Sequence, residues 1–270
     1  MESNQALWEK GDFTRIAAFM RESGEALAEG LDIRPGMQVL DVGCGDGTTA
    51  LPAARRGARV LGIDIARNLV AAGNARAQAE GLDDCRFQQG DAARLSGVAD
   101  HSVDLVLSMF GAMFASDPLA VARELVRVVH PGGRIVLGNW MSDDPSFISQ
   151  VLKTSARYAP PPPEGFVSPL AWGSEVNVRG RFAAAGVLPE QIRCSRETYL
   201  FRAPMEPAAL IAVLRDSYGP VMNAFEAATR AGTEGVLERE LEALASAHNT
   251  SARADTTVIP ASFLKVVVQL

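Results

Sequence analysis

The sequence predicts an α/β protein with a doubly wound, mainly parallel sheet, and three observations carry that reading. Short runs that read as strands, at residues 39–42, 59–63, 85–88, 103–108 and 134–140, alternate with segments of helical pattern. The first run breaks into Gly43-Cys44-Gly45-Asp46-Gly47 and a helix-forming segment follows, the layout of a strand–turn–helix unit. Asp41, Asp64 and Asp91 stand at or just past the ends of three successive runs. In a parallel sheet those ends share one crevice.

Each element has its own local reason. Residues 13–31 have helical spacing, with Ile16, Phe19, Met20, Ala26, Leu27 and Leu31 near one face and Arg21, Glu22, Glu25 and Glu29 mostly off it. Pro35-Gly36 marks a turn before the strand at 39–42. Alanine and leucine between residues 48 and 56 favour helix, and Gly57 ends it. The strand at 59–63 closes at Asp64, and residues 66–80 form a helix ended by Gly81. Strands at 85–88 and 103–108 follow. Asp117 is an N-cap with Pro118 at the first helical position, and Leu119, Ala122, Leu125, Val126 and Val129 make that helix's apolar stripe. Pro131-Gly132-Gly133 is a turn before the strand at 134–140.

The second half breaks the alternation. Residues 146–158 read as helix, prolines 160–163 as an extended loop, 174–185 as helix and 191–201 as strand. Residues 207–217 and 221–247 read as two helices parted by Gly219-Pro220, the second with Leu237, Leu241 and Leu244 on one face. Residues 256–270 are strand-rich, with a kink expected at Pro260. The whole, 1–270, is one domain: a core at 36–140 and two insertions at 143–173 and 204–249.

Composition bounds the function. The 270 residues are 47% apolar and 21% charged, ordinary for a globular protein. The net charge of −6 disfavours a nucleic-acid partner. Cys44, Cys85 and Cys194 are far apart with no CxxC, which removes zinc-ribbon and thioredoxin readings and suits a reducing cytoplasmic setting. The first residues lack the apolar core of a secretory signal, and no apolar run is long enough for a membrane span. No HxxxH or acidic triad suggests a metal. Lys153-Thr154 lacks the preceding glycines of a phosphate-binding loop.

Glycines at 43, 45 and 47 let a backbone turn tightly and approach a ligand closely. The helix that follows presents free N–H groups, and Asp64 is placed to accept both hydroxyls of a ribose. Taken singly, each acid reads equally as a helix cap. Together they favour an adenosine-like ligand.

Here the chain resembles the class I S-adenosylmethionine-dependent methyltransferases. The resemblance rests on VLDVGCGDG (39–47), VLGIDIA (60–66), QGDAARL (89–95), VDLVLSMFGAMFA (103–115) and HPGGRIVLGNW (130–140). Within that class the small-molecule enzymes related to quinone and sterol C-methyltransferases look nearest. The resemblance implies a Rossmann-like seven-stranded sheet of order 3-2-1-4-5-7-6 with strand 7 antiparallel. It implies S-adenosyl-L-methionine as cofactor and a small-molecule methyl acceptor as partner. Asp41, Gly43, Cys44 and Gly45 would sit beside the methionine portion, and Asp64 would bind the ribose with Ile65 against adenine. Asp91 would bond the adenine amino group with Ala92 beside it, and Ser108 and Met109 would lie under the methionine portion. Phe110, Met113 and Phe114 fall in the family's acceptor region, with Trp8, Phe13, Trp140 and Trp172 as further pocket candidates. Arg15 would meet the cofactor carboxylate.

No catalytic base stands out. His101 and His130 precede strands, at the wrong end of a parallel sheet, and His248 reads as a loop residue. A nicotinamide-dependent oxidoreductase is the competing enzyme class, but the loop is Gly-x-Gly-x-Gly rather than Gly-x-Gly-x-x-Gly. A non-catalytic cofactor-binding protein is the third reading. Both insertions are expected to leave from the carboxyl ends of strands and cap the acceptor site; the leucine stripe reads equally as a homodimer interface.

Overall fold

The computed structural model describes residues 2–142, 144–162 and 164–270. Asp143, where the predicted first insertion opens, and Pro163, the last of the four prolines, lie outside the described residues.

Strands β1 (Gln38–Val42), β2 (Arg59–Asp64), β3 (Cys85–Gln89), β4 (Val103–Met109) and β5 (Val129–Trp140) run parallel. Strand β7 (Thr257–Gln269) lies antiparallel between β5 and β6 (Ile192–Ala203). The order is β3-β2-β1-β4-β5-β7-β6, as the resemblance implies. Alternate residues serve opposite faces. Val39, Leu105, Leu107 and Val136 enter one core, while Leu40, Val42, Val106, Ile135 and Leu137 enter the other. A sheet covered on both sides needs strands that are apolar throughout, which is why these runs stand out in the sequence.

Helices α4 (Ala50–Arg55) and α5 (Arg67–Ala79) cover the first face; α6 (Pro118–Val128) and α8 (Glu175–Ala184) cover the second. Asp117 caps α6 as predicted, its carboxylate accepting from the N–H groups of Leu119 at 3.1 Å and Ala120 at 2.9 Å.

Four local expectations are corrected. Residues 13–31 are not one helix: α2 (Thr14–Ala17) and α3 (Arg21–Glu29) are separated by a 3-10 turn at Ala18–Met20. That turn rotates the buried face onto Gly24 and Ala28 and leaves Ala26 exposed. An additional helix, α1 (Glu2–Glu9), precedes them. Residues 221–247 are also two helices, α10 (Gly219–Ala231) and α11 (Glu234–His248), split by Gly232 in the left-handed conformation at φ 69°. Pro131-Gly132-Gly133 forms a bulge within β5, where the ladder steps from Val103↔Val129 to Leu105↔Arg134.

Pro260 does not kink β7. Its partner Leu200 turns both backbone groups outward to the Ser23 hydroxyl, at 2.9 and 3.0 Å. The Leu200–Pro260 pair is therefore a non-hydrogen-bonded one, and the missing N–H faces away from β6. On that side β5 pairs with β7 only from Phe263 onward, so no ladder bond is lost.

The insertions meet as one helical layer, in which α7 (Phe147–Tyr158) and α9 (Pro207–Ser217) pack with α10 and α11. Leu237 and Leu241 are wholly buried in it and Leu244 partly so, so the leucine stripe is consumed inside the protomer. Because β6 is parallel to β5, both insertions leave from the carboxyl-terminal side of the sheet. No helix among the described residues is long and apolar enough to cross a membrane.

Candidate active site

β1 ends in the glycine loop, and the loop is tied to β2. The N–H groups of Gly43 and Cys44 donate to the Ile63 carbonyl at 2.7 and 3.2 Å. Asp64 accepts from the Gly45 N–H at 2.8 Å and from the Ala66 N–H at 2.9 Å, one on each oxygen. On the other side, a Cβ on Gly43 would lie 2.6 Å from the Gly111 Cα, so two chains pass with no room for a side chain. Ser108 sits behind this contact. Its hydroxyl donates to the Val42 carbonyl at 2.6 Å and accepts from the Ala112 N–H at 2.9 Å.

Gly45 differs from Gly43. It has φ +56°, yet a Cβ there would meet no protein atom within 4 Å. That open direction belongs to a cavity that Gly45 lines. One wall is the loop and strand ends: Gly43, Cys44, Gly45, Asp46, Asp64, Ile65, Asp91 and Ala92. The other is Asn4, Trp8, Phe13, Met20, Phe110, Phe114 and Tyr199.

Of the predicted cofactor residues, Asp41 and Ser108 stand behind the wall rather than in it. Of the predicted pocket residues, Trp8, Phe13, Phe110 and Phe114 line the cavity. Met113 is buried in the core and does not line it. Trp140 stacks on the back of Phe110, centroids 3.6 Å apart and rings within 5° of parallel. Trp172 lies elsewhere, edge-on to Phe182 and under Arg181, whose guanidinium carbon is 4.5 Å from the ring centre. Arg15 turns away to the Ser217 hydroxyl at 3.3 Å. Arg21 reaches the loop instead, bonding Asp46 and, at 3.0 Å, the Thr48 hydroxyl.

Among the described residues, the insertions contribute none of the lining. They reach the site through Tyr218, whose ring packs 5.9 Å from Trp8 and 6.1 Å from Phe13. Helix α1 is also held from below. Glu9 accepts from the Arg67 N–H at 3.0 Å and from its guanidinium, at the start of α5. Lys10 pairs with Glu226 of α10 at 2.6 Å.

Phe110 has a left-handed backbone, φ +62°, which costs a bulky residue about 1–3 kcal/mol. Its ring meets Tyr199 and Phe263 edge-on at 5.1 and 5.4 Å besides stacking on Trp140. That packing holds the turn which carries Gly111 under Gly43.

Electrostatically the site favours cations. Asp46, Asp64 and Asp91 line it, and among the described lining residues there is no lysine, arginine or histidine. Asp46 is nearly fully buried between Arg21 and Arg76. Asp41 is wholly buried; one oxygen accepts from Thr49 at 2.6 Å and the other has no partner among the described residues. Burial, with the Asp64 charge nearby, pushes Asp41 up to about 7. Burial likewise raises Asp64, and burial with these acids keeps the Cys44 thiol protonated.

The native state thus holds a proton on Asp41 that the unfolded chain releases. The stability this lends is complete below the ordinary carboxylate range and is lost as pH rises through about 7. Between pH 6 and 8 the ligand-free protein is expected to lose about 1.4 kcal/mol on this account. Asp41→Asn should flatten that part of the profile, measured by urea denaturation at both pH values.

Residues 40–137 match the family model described as a methyltransferase domain. The chain belongs to the class I S-adenosylmethionine-dependent methyltransferases. Its cofactor is S-adenosylmethionine. An uncharacterized protein of Mycobacterium tuberculosis is 33% identical over 241 residues, covering 89% of this chain and 84% of that protein. Nocamycin O-methyltransferase of Saccharothrix syringae is 40% identical over 122 residues, 44% of this chain and 43% of that enzyme. In fold, the chain is similar to the YcgJ protein of Bacillus subtilis, with a TM-score of 0.57 and 20% identity over 92% of this chain and 99% of that one.

The methyltransferase's own residues fit the cofactor. The Gly45 cradle leaves space that a side chain would fill, and the carboxylates suit a ligand bearing a sulfonium and an ammonium. A dinucleotide's pyrophosphate would instead meet three acids and no basic side chain. Sequence reasoning missed Asn4, Met20, Asp46 and Tyr199. Asp46 carried a signal, lying between two of the loop glycines; the others line the cavity only through contacts distant in sequence.

Proposed function

We propose that this methyltransferase acts on a small, apolar or aromatic acceptor held against Trp8, Phe13, Phe110 and Phe114, by in-line displacement. The observation that carries this is the single cavity with a glycine-and-acid wall facing an aromatic one. S-adenosylmethionine supplies an electrophilic methyl group. Gly43, Cys44 and Gly45 receive the methionine portion. Asp64 accepts from the ribose hydroxyls, Asp91 and Ala92 take the adenine edge, and Ile65 packs on its face. The aromatic wall excludes water and aligns the nucleophile, and alignment is itself catalytic. The insertions act as a cap through Tyr218, which presses α1 onto the cavity.

Incubation with S-adenosylmethionine and fractionated cell extract should release S-adenosylhomocysteine in an apolar fraction. Release confined to polar, highly charged fractions would contradict the acceptor class. Trp8→Ala is expected to raise the acceptor KM about tenfold, equivalent to about 1.4 kcal/mol. Cofactor affinity should change less, which calorimetry with S-adenosylhomocysteine checks.

A further inference from the structure

The next inference rests on that reading of the cavity and concerns the charge of the acceptor. Among the described lining residues there is no histidine, lysine, arginine or glutamate. The carboxylates lie on the cofactor side. Asp91 follows β3, and three strand spacings, about 14 Å, separate β3 from β4, which leads to Phe110. Asp64 ends β2, two spacings or about 10 Å away, and holds the Gly45 and Ala66 N–H groups. Asp46 is committed to Arg21 and Arg76.

Tyr199 is the titratable group of the aromatic wall, and its hydroxyl donates to the Met20 carbonyl at 3.1 Å. The histidines are outside the cavity. His130 is bound to Asp104 at 2.6 Å, His101 to the Val129 carbonyl at 3.1 Å, and the His248 ring lies 6.2 Å from Phe147. Among the described residues, the acceptor end therefore offers no strong base for a proton and no cation for a carboxylate or phosphate tail.

We infer that the acceptor is a delocalised organic anion, a phenolate or the enolate of a 1,3-dicarbonyl, ionised in solution before it binds. Such an anion finds its counter-charge in the sulfonium. An apolar wall strengthens that attraction, and a spread charge costs less to desolvate than a compact one. In the step, a lone pair on the acceptor's oxygen or carbon forms the bond to the methyl carbon as the carbon–sulfur bond breaks. The broken bond's electron pair stays on sulfur, anion and sulfonium become two neutral products, and no proton moves. An aliphatic alcohol would need a base that the wall lacks, and an amine would leave a cation there.

The test uses the full chain and a matched set of flat probes. These are 2-naphthols of graded acidity and a 2-aryl-1,3-cyclohexanedione, against 2-naphthylmethanol and 2-naphthylmethylamine. S-adenosylhomocysteine binding is measured first by calorimetry; its failure overturns the methyltransferase site itself. Probe binding is then compared beside S-adenosylhomocysteine, which is neutral at sulfur, and beside sinefungin, which carries an amine there. Ionised probes should bind at least about tenfold more tightly beside sinefungin. With S-adenosylmethionine, the pH midpoint of kcat/KM should follow each probe's own pKa. A midpoint that stays fixed as the probe changes means a base on the protein and overturns the inference. Preference for the alcohol or the amine overturns it too, as does failure of every probe to bind where S-adenosylhomocysteine does.

Discussion

Gly45→Val is expected to bind S-adenosylhomocysteine roughly a hundredfold more weakly than the parent, or not measurably, while remaining folded. Two effects add. The left-handed backbone at Gly45 costs an L-residue about 1–2 kcal/mol, more for a β-branched one. In the proposed binding mode its side chain would also occupy the space that the methionine portion takes, because the Cβ direction is clear of protein atoms and Gly45 lines the cavity. A loss of about 2.7 kcal/mol in binding is a hundredfold. Circular dichroism and urea denaturation establish that the variant is folded, and calorimetry reads the affinity. Gly43→Val is the contrast. There the Cβ runs into the Gly111 backbone, so stability should fall together with binding. A folded Gly45→Val that binds normally would mean the loop does not approach the cofactor.

Asp64→Ala carries the second largest effect, a ten- to hundredfold loss of cofactor affinity. A charged acceptor bonded to ribose hydroxyls contributes about 1.5–3 kcal/mol. The structure adds a second contribution, because the same carboxylate holds the Gly45 and Ala66 N–H groups. Alanine therefore loosens the loop as well as removing the acceptor. Asp64→Asn separates the two. Its amide oxygen can keep one of those backbone bonds, so it should bind more tightly than alanine and less tightly than aspartate. Equal affinity across all three proteins would take Asp64 out of the site.

What was legible in the sequence was whatever depends on local chemistry. The glycine loop announced itself because only glycine takes φ +67°, +56° and +91° in such quick succession. The Asp117-Pro118 cap and the strands buried on both faces were legible for the same kind of reason. The aromatic wall was not. Phe110 and Trp140 are both large, apolar and at strand ends, and only their stacking decides that Phe110 faces the cavity and Trp140 stands behind it. Arg15 and Arg21 lay in one apparent helix, and the 3-10 turn between them decides which reaches the loop. Tyr199 enters the site from β6, far along the chain from the glycine loop. Ser108 looked like a cofactor contact because it ends β4, yet its hydroxyl is spent bracing Val42 and Ala112.

The placement of β7 governs how the protein can assemble during synthesis. Strands β1 to β5 can pair as soon as residue 140 is free of the ribosome, since each lies beside an earlier strand. β6 is made long before its neighbour, for it pairs with β7 alone, along its full length. Until β7 emerges, β6 is an unpaired edge and Tyr199 has no fixed place. The half that carries the glycine loop therefore precedes, in the order of synthesis, the half that completes the aromatic wall. A nascent chain halted before residue 257 should carry a formed glycine loop and an open acceptor side, with β6 exposed to chaperones or to another chain's edge.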